Sequence, residues 1–173
     1  MTSRKEHWEK IYATKQTNEL SCTQESPKTS LAFLHSFNLP RTASIIDIGG
    51  GDSNFVDFLL DEGFENVSVL DISENAIERA RQRLGEKAKK VTWIVSDITE
   101  FHPSTIYDCW HDRATFHFLT TPGDINTYLA TARRAVNNFI VIGIFSEKGP
   151  RKCSLIGSPI YRIRTSTTIL QRV

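Results

Sequence analysis

The sequence predicts an α/β protein with a doubly wound parallel sheet, and three observations carry that prediction. Between residue 44 and about residue 145, short apolar segments alternate with segments of helical periodicity. The first apolar segment, Ser44–Ile48, lacks the polar alternation of a half-exposed strand, as strands buried in a parallel sheet do. Three glycines follow it directly and turn the chain. We therefore expect helices on both faces of one sheet, joined by right-handed crossovers.

Two helices are expected before the first strand. Trp8 and Tyr12 stand four residues apart, which indicates a helix near the N-terminus. A second helix is expected to begin at Pro27, because proline suits the first helical position, with Ser26 as its N-cap. Pro40 then stops this helix.

From Ser44 onward the sequence predicts five strands and three longer helices. The strands are expected over residues 44–48, 66–72, 91–98 and 138–145, with a very short fourth strand inside residues 107–112. The helices are expected over residues 53–63, 73–85 and 123–136, with Ser73 as an N-cap and Gly63 and Gly85 as terminators.

Composition limits the class of protein. The length of 173 residues suits one domain, and 39% hydrophobic and 24% charged residues are ordinary for a soluble globular chain. No apolar run is long enough for a membrane span, and the polar N-terminus lacks a signal-peptide core. The three cysteines, Cys22, Cys109 and Cys153, suit free thiols in a reducing compartment. These features predict a cytoplasmic protein with no membrane partner.

Charge is distributed unevenly along the chain. Residues 151–173 hold five basic residues and no acidic ones, whereas the rest of the chain has an acidic excess. A basic tail can contact nucleic acid or a membrane, but a solvated terminus is the simpler interpretation. Because the body is mildly acidic, we do not expect it to bind nucleic acid.

The glycine turn, "IIDIGGGDS", matches the dinucleotide fingerprint G-x-G-x-x-G incompletely. Gly49 and Gly51 fit the first two positions, but Asn54 stands where the third glycine would allow close packing of helix on strand. A pyrophosphate-containing cofactor is therefore disfavoured, and an NAD-dependent oxidoreductase is the least favoured of the functions considered.

Three carboxylates lie at or near the ends of three successive predicted strands: Asp47, Asp71 and Asp97. Carboxyl ends of parallel strands meet at the edge where such sheets bind ligands, and like charges there would repel unless a ligand uses them. A ligand with a cation, a ribose and an adenine would do so. Asp71 can accept both ribose hydroxyls and Asp97 an adenine amino group, while Asp47 can hold the loop or reach the cation through water.

Four segments resemble the class I S-adenosylmethionine-dependent methyltransferases: "IIDIGGGDS", "VLDISENAIERAR", "WIVSDITEF" and "YDCWHDRATFHFL". The resemblance covers roughly residues 40 to 146. It implies S-adenosylmethionine as cofactor, S-adenosylhomocysteine as product, and methyl transfer to a small molecule or a protein side chain. By position it implies these cofactor-binding residues: Asp47, Gly49, Gly50 and Gly51 on the methionine side, Asp71 and Ile72 at the ribose and adenine, and Asp97 and Ile98 at the adenine.

The N-terminal stretch "HWEKIYATK" is similar to a lid found in some members of this class. The resemblance implies that Trp8 and Tyr12 cover the cofactor, although both also suit the core of a docked helix. It divides the chain into a helical lid over residues 1–40, a cofactor-binding core over residues 41–146 and a short basic segment over residues 147–173.

Candidate catalytic residues follow the fourth strand, where the resemblance places the loop that faces the sulfonium. His111 could act as a base or contact the cofactor, with Asp112 beside it. Arg113 could bind an anionic substrate or pair with a neighbouring acid. His117 is expected to be a packed histidine, and its spacing from Cys109 and His111 matches no common zinc pattern, so we predict no metal.

The C-terminus departs from the class. Members normally continue past the fifth strand with a helix and an antiparallel pair of strands, but only 28 residues follow Phe145. We expect these antiparallel strands to be shortened or missing, which would leave a sheet edge open to a homodimer. The alternative function is accordingly a cofactor-binding but catalytically inactive sensor or partner subunit.

Overall fold

The computed structural model describes residues 3–15, 25–113, 115–146, 162–163 and 167–171. Its α-helices are α1 (Arg4–Thr14), α2 (Lys28–Ser36), α3 (Phe55–Asp61), α4 (Glu74–Leu84) and α5 (Pro122–Ala135). Its strands are β1 (Ser44–Ile48), β2 (Asn66–Asp71), β3 (Val91–Val95), β4 (Tyr107–Asp112), β5 (Val136–Gly143), β6 (Phe145–Ser146), β7 (Arg162–Ile163) and β8 (Thr167–Gln171). Short 3₁₀ helices cover Gly85–Lys90 and Phe116–Phe118. Within this described part, no helix is long and apolar enough to cross a membrane.

Six strands form the main sheet in the order β3-β2-β1-β4-β5-β8. The first five run parallel, and the strand order reverses between β1 and β4. The predicted doubly wound parallel sheet is therefore confirmed. Because the strands are parallel, the carboxyl ends of β1, β2, β3 and β4 all reach the same edge of the sheet, and the reversal between β1 and β4 is the point where such sheets bind ligands.

One antiparallel strand covers β5 within the described residues. Residues Thr167–Gln171 of β8 pair with Phe139–Gly143 of β5, and β6 and β7 make a separate two-residue pair. Residues 147–161, on which the expectation of shortened or missing antiparallel strands also depends, lie outside the described residues. Strand β8 occupies the edge of β5 that the sequence left open. A homodimer through this side of the sheet stays a prediction. Cys22, Cys153 and most of the basic segment lie outside the described residues.

Local signals set most helix ends. The Ser73 hydroxyl accepts the backbone N–H of Ala76, and Gly85 ends α4 with a φ of +56° that favours glycine, both as predicted. The start of α2 differs from the expectation: Pro27, not Ser26, stands at the N-cap position, and no side chain caps this helix. Proline takes this place without loss because the first amide groups of a helix have no internal acceptor.

Two apolar clusters cover the two faces of the sheet. Because successive side chains of a strand point to opposite faces of the sheet, Ile46 and Trp110 lie in one cluster, where they pack with Tyr128 of α5. Ile45 goes to the other cluster and packs with Phe55 of α3. All five side chains are almost fully buried, and burial of this kind, worth about 1.5–3 kcal/mol for each large apolar side chain, fixes the strand ends that form the site.

Candidate active site

A cleft lies at the carboxyl edge of the sheet and encloses about 580 Å³ of empty space, part of it open to solvent. We call it the carboxyl-edge cleft. It is lined by Arg4, Trp8, Tyr12, Gly49, Leu70, Asp71, Ile72, Ser96, Asp97, Ile98, Thr115, Phe118 and Leu119.

The glycine turn reaches the cleft through Gly49. Its φ of +71° favours glycine, and a Cβ there would overlap the Thr115 hydroxyl. The backbone N–H groups of Gly49 and Gly50 both donate to the carbonyl oxygen of Leu70, at 2.7 and 3.3 Å. The turn is thus held against β2, and its bare backbone forms part of the cleft wall.

Asp71 ends β2 and is 5% exposed. One carboxylate oxygen accepts the backbone N–H of Ser73 at 2.8 Å, and the other accepts that of Gly51 at 3.0 Å. Burial raises the pKa of Asp71 to about 6, against the lowering effect of these two bonds, and the nearby charges of Asp47 and Glu9 raise it further. Each oxygen keeps a second acceptor position, so the ionised side chain can receive two hydroxyl groups.

Asp97 also lines the cleft, but its carboxylate is already bound. Both of its oxygens accept Nη1 of Arg4 at 3.1 Å, and Oδ1 also accepts the backbone N–H and the hydroxyl of Thr99 at 2.9 and 2.8 Å. Arg4 is far away in sequence and carries no motif, so sequence analysis missed it. The predicted contact of Asp97 with an adenine amino group would have to share this carboxylate.

Asp47 lies beneath the glycine turn and does not line the cleft. Its Oδ1 is 2.7 Å from Nδ1 of His111, whose Nε2 is 2.8 Å from the Ser30 hydroxyl of α2. The His111 ring packs on Phe55 with 4.1 Å between ring centroids. A Cβ at Gly50 would overlap the Asp47 carboxylate. The turn is therefore supported by three buried, hydrogen-bonded side chains, one each from β1, β4 and α2.

Asp112 forms a second buried network behind the cleft. It accepts the backbone N–H groups of Thr115 and Phe116, at 2.8 and 3.1 Å, and the Tyr128 hydroxyl at 2.8 Å. Trp110 donates its indole N–H to the same hydroxyl at 2.8 Å. Burial raises the pKa of Asp112 to about 6 despite these bonds. The network fixes the segment whose Thr115 side chain lines the cleft.

The three predicted catalytic residues do not line the cleft. Strand β4 continues through Asp112, so His111 and Asp112 are its last residues rather than the first residues after it. They are 2% and 0% exposed, and their polar atoms are engaged within the protein. Arg113 is partly exposed and lies beside Gly143. This arrangement supports structural roles for His111 and Asp112, and their catalytic role stays an unsupported prediction.

His117 is buried, and burial lowers its pKa to about 4. Its ring packs against that of Phe118 at 4.0 Å between centroids. Across residues 3–15, 25–113 and 115–146, no cluster of three or more His, Cys, Asp or Glu side chains is arranged to hold a metal.

Helix α1 forms one wall of the cleft. Trp8 is 8% exposed and meets Phe118 edge-on, with 5.0 Å between ring centroids. Tyr12 follows one turn later, 6.1 Å from Trp8. Neither Phe118 nor Thr115 was singled out from the sequence, although both follow the end of β4 and so had to lie near this edge. Contact of Trp8 and Tyr12 with a cofactor stays a prediction.

A family model described as "Methyltransferase domain" matches residues 45–138, more than half of the chain. The chain belongs to this methyltransferase family. The matched segment includes β1, the glycine turn, Asp71, Asp97 and the end of β4, which are the parts that build the cleft. The fold class and the family agree with the predictions from the sequence.

Two known methyltransferases are similar to this chain in sequence. Malonyl-[acyl-carrier protein] O-methyltransferase of Anoxybacillus flavithermus is 34% identical over 96 residues, which cover 54% of this chain and 35% of that protein. EEF1A lysine methyltransferase 2 of Danio rerio is 28% identical over 157 residues, which cover 80% of this chain and 66% of that protein. The chain therefore spans between one third and two thirds of the length of these relatives.

A solved methyltransferase shares the fold. Phosphoethanolamine N-methyltransferase 1 of Haemonchus contortus, crystallised with phosphoethanolamine and S-adenosylhomocysteine, superposes with a TM-score of 0.70 at 18% identity. The match covers 90% of this chain and 36% of that protein. It shows that the described part of the chain takes up the methyltransferase fold.

Proposed function

We propose that this methyltransferase binds S-adenosylmethionine in the carboxyl-edge cleft and transfers its methyl group to a small molecule or a protein side chain. The observation that carries the proposal is Asp71: a buried carboxylate at the end of β2, held by the N–H groups of Ser73 and Gly51, with acceptor positions left for two hydroxyls. A ribose supplies two such hydroxyls side by side.

The walls of the cleft suit the rest of the cofactor. Ile72 and Ile98 offer apolar side chains on either side of an adenine ring, and Ile98 is only 3% exposed. The bare backbone at Gly49 allows the methionine part to approach the turn closely. Trp8 and Phe118 both line the cleft, and aromatic rings attract a sulfonium cation. Asp47 contributes by supporting the turn from below.

When bound, S-adenosylmethionine would supply a methyl group on a positively charged sulfur: a lone pair of the acceptor would bond to the methyl carbon as the carbon–sulfur bond breaks, its electron pair staying on the sulfur of neutral S-adenosylhomocysteine. Among the described residues no histidine lines the cleft. The protein's contribution there is accordingly to bind, orient and exclude water, and positioning alone can lower a barrier by several kcal/mol, up to about 7–11 in the best cases.

We propose the same division of the chain into three segments that the sequence predicts. Residues 1–40 serve as a lid, residues 41–146 hold the cofactor, and residues 147–173 form a basic segment. We propose that the methyl acceptor is either a small molecule or a protein side chain. The two relatives are named for a malonyl group on acyl-carrier protein and for a lysine of a protein. A cytoplasmic location and the absence of a nucleic-acid partner stay predictions from composition.

Calorimetric titration of the purified chain with S-adenosylmethionine, S-adenosylhomocysteine and NAD tests cofactor choice. We expect both adenosyl compounds to bind and NAD not to bind. Asp71→Ala should abolish or weaken binding, while Asp61→Ala, a surface aspartate at the end of α3, is the matched control. Binding of NAD in place of the adenosyl compounds would overturn the proposal.

Turnover is tested separately. Incubation of the chain with methyl-labelled S-adenosylmethionine and fractionated cell extract should release S-adenosylhomocysteine and label a small molecule or a protein. Binding without release in any fraction would favour the alternative, a cofactor-binding protein without catalytic activity.

A further inference from the structure

Arg4 joins three separate parts of the molecule. Its Nη1 binds both oxygens of Asp97 at 3.1 Å, and its Nη2 binds Oδ2 of Asp124 at 2.8 Å. Arg4 belongs to the first turn of α1, Asp97 follows β3, and Asp124 belongs to the first turn of α5. All three side chains are partly exposed, between 19% and 33%, at the rim of the carboxyl-edge cleft. One guanidinium thus fastens the start of α1 across the cleft.

The middle of α1 is attached as well. The Glu9 carboxylate accepts the Ser73 hydroxyl at 2.9 Å and the backbone N–H groups of Glu74 and Asn75 at 2.7 and 3.2 Å. These amides begin α4 and lack acceptors inside that helix. Although partial burial disfavours the charged form, these bonds lower the pKa of Glu9, so it remains ionised near neutral pH.

The end of α1 is bound by Arg79 of α4. Its guanidinium donates to the backbone carbonyl oxygens of Tyr12 and Lys15 and also forms an ion pair with Asp52, which follows the glycine turn. Asp52 is 7% exposed. The far end of α1 is therefore tied to the elements that hold the turn, and Arg4 is the attachment at the opposite, open end of the cleft.

We propose that Arg4 is a positioning residue that retains the bound cofactor: with Asp97 and Asp124 it forms a latch that keeps α1 over the cleft, and release of S-adenosylhomocysteine requires this latch to open. The inference rests on the proposed function. It also gives Asp97 a role in closing the cleft, beside the predicted contact with the adenine amino group.

The charges at the rim support this assignment. Asp97 and Asp124 share one guanidinium, so the loss of Arg4 would leave two like charges facing each other. Oδ1 of Asp97 already accepts three donors, namely the guanidinium, the Thr99 amide and the Thr99 hydroxyl. A carboxylate oxygen has about two lone-pair sites, so Oδ1 is fully used by the latch and by Thr99, whereas Oδ2, which accepts only the guanidinium, keeps an acceptor position.

The first test is the dissociation rate of S-adenosylhomocysteine, followed by stopped-flow fluorescence. We expect Arg4→Ala to release it about tenfold faster than wild type, a modest factor because the ion pairs are partly exposed. Lys5→Ala, which removes the same charge from the neighbouring exposed position, is the matched control. Equal rates in the Arg4 and Lys5 variants would overturn the proposal.

Two further readouts separate a latch from a general loss of stability. Raising the salt concentration should speed release from wild type more than from Arg4→Ala, because the variant lacks the two partly exposed ion pairs of Arg4 that salt screens. Combining Arg4→Ala with Asp124→Asn should release no faster than Arg4→Ala alone. Unchanged salt dependence in Arg4→Ala, or additive effects of the two substitutions, would count against the latch.

The role of Asp97 is tested with S-inosylhomocysteine, which lacks the amino group. Asp97→Ala should release the inosyl compound faster than wild type does, because the latch is lost whether or not this side chain also contacts an amino group. Equal release rates of the inosyl compound from wild type and Asp97→Ala would overturn the assignment of Asp97 to the latch.

A ligand-free measurement keeps the latch testable if the proposed function fails. Trypsin should cleave after Lys10 of α1 faster in Arg4→Ala than in wild type or Lys5→Ala, without any ligand, because a loosened helix exposes its backbone. Absence of any cofactor binding would overturn the proposed function alone, whereas equal cleavage rates would overturn the latch alone.

Discussion

The carboxylate of Asp71 accepts the backbone N–H of Gly51 at 3.0 Å, so the end of the second strand holds the glycine turn that follows the first. The contact needs a glycine, because a Cβ at this position would lie 2.7 Å from the same carboxylate oxygen and 2.6 Å from the Cβ of Ala76. One side chain therefore fixes the turn and presents acceptor atoms to the cleft.

Asp71→Ala should weaken S-adenosylhomocysteine binding by about 1.5–3 kcal/mol, the range for hydrogen bonds to a charged group. The cause is the loss of both ribose hydroxyl contacts and of the support for the turn. Calorimetry measures the change, and Asp61→Ala on the surface should leave the affinity unaltered. Unchanged affinity in the Asp71 variant would show that the ribose lies elsewhere.

Cofactor affinity should depend on pH through Asp71. Because burial raises its pKa to about 6, the free protein protonates this side chain as the pH falls below about 6. A protonated carboxyl has one oxygen that donates, so it accepts fewer hydroxyl hydrogens. We expect the affinity for S-adenosylhomocysteine to rise between pH 5 and pH 7 and to level off above. Asp71→Asn should bind weakly with no such rise, and a rise of the same size in that variant would exclude Asp71 as its origin.

The sequence predicted which residues lie at the carboxyl edge of the sheet better than it predicted which side chains point into the cleft. Asp71 and Asp97 reach the cleft because they follow successive parallel strands, and strand order alone brings them together. Asp47 and His111 are also at strand ends, and they are neighbours in the register of β1 and β4. Their side chains point under the turn, and that direction depends on a register that periodicity does not reveal.

Contacts from distant segments were the least predictable. Arg4 meets Asp97 across 93 positions of sequence, and Ser30 meets His111 across 81. Both pairs exist because helices outside the alternating core dock against the sheet, and docking is decided by packing rather than by a local pattern. The capping of α4 by Ser73, in contrast, needs only three residues and was predicted correctly.

Ser30→Ala should destabilise the fold by about 1–3 kcal/mol. The hydroxyl is 2.8 Å from Nε2 of His111 in a buried site, and its removal leaves that ring nitrogen without the partner. Urea unfolding measures the loss. The control is Ser36→Ala, at the exposed end of the same helix, where the cost should stay below about 0.5 kcal/mol. An equal loss of unfolding free energy in both variants would mean that the hydrogen bond between Ser30 and His111 contributes nothing to stability.

Tyr128→Phe should destabilise the core, and more strongly at pH 7.5 than at pH 5. The hydroxyl accepts Trp110 and donates to Asp112, both at 2.8 Å, so its loss leaves two buried polar groups short of a partner, at about 1–3 kcal/mol each. Since burial raises the pKa of Asp112 to about 6, this group contributes stability that is present below about pH 4 and lost as the pH rises through 6.

The Tyr128 bond opposes that burial effect by lowering the pKa of Asp112. Without it, the ionised carboxylate is less well compensated, so the stability lost between pH 5 and pH 7.5 becomes larger than in wild type. Unfolding free energies of the two proteins at both pH values measure the difference. In the Asp112→Asn background, where residue 112 no longer titrates, Tyr128→Phe should lower the unfolding free energy by the same amount at both pH values. If the extra loss at high pH persists in that background, Asp112 is not its source.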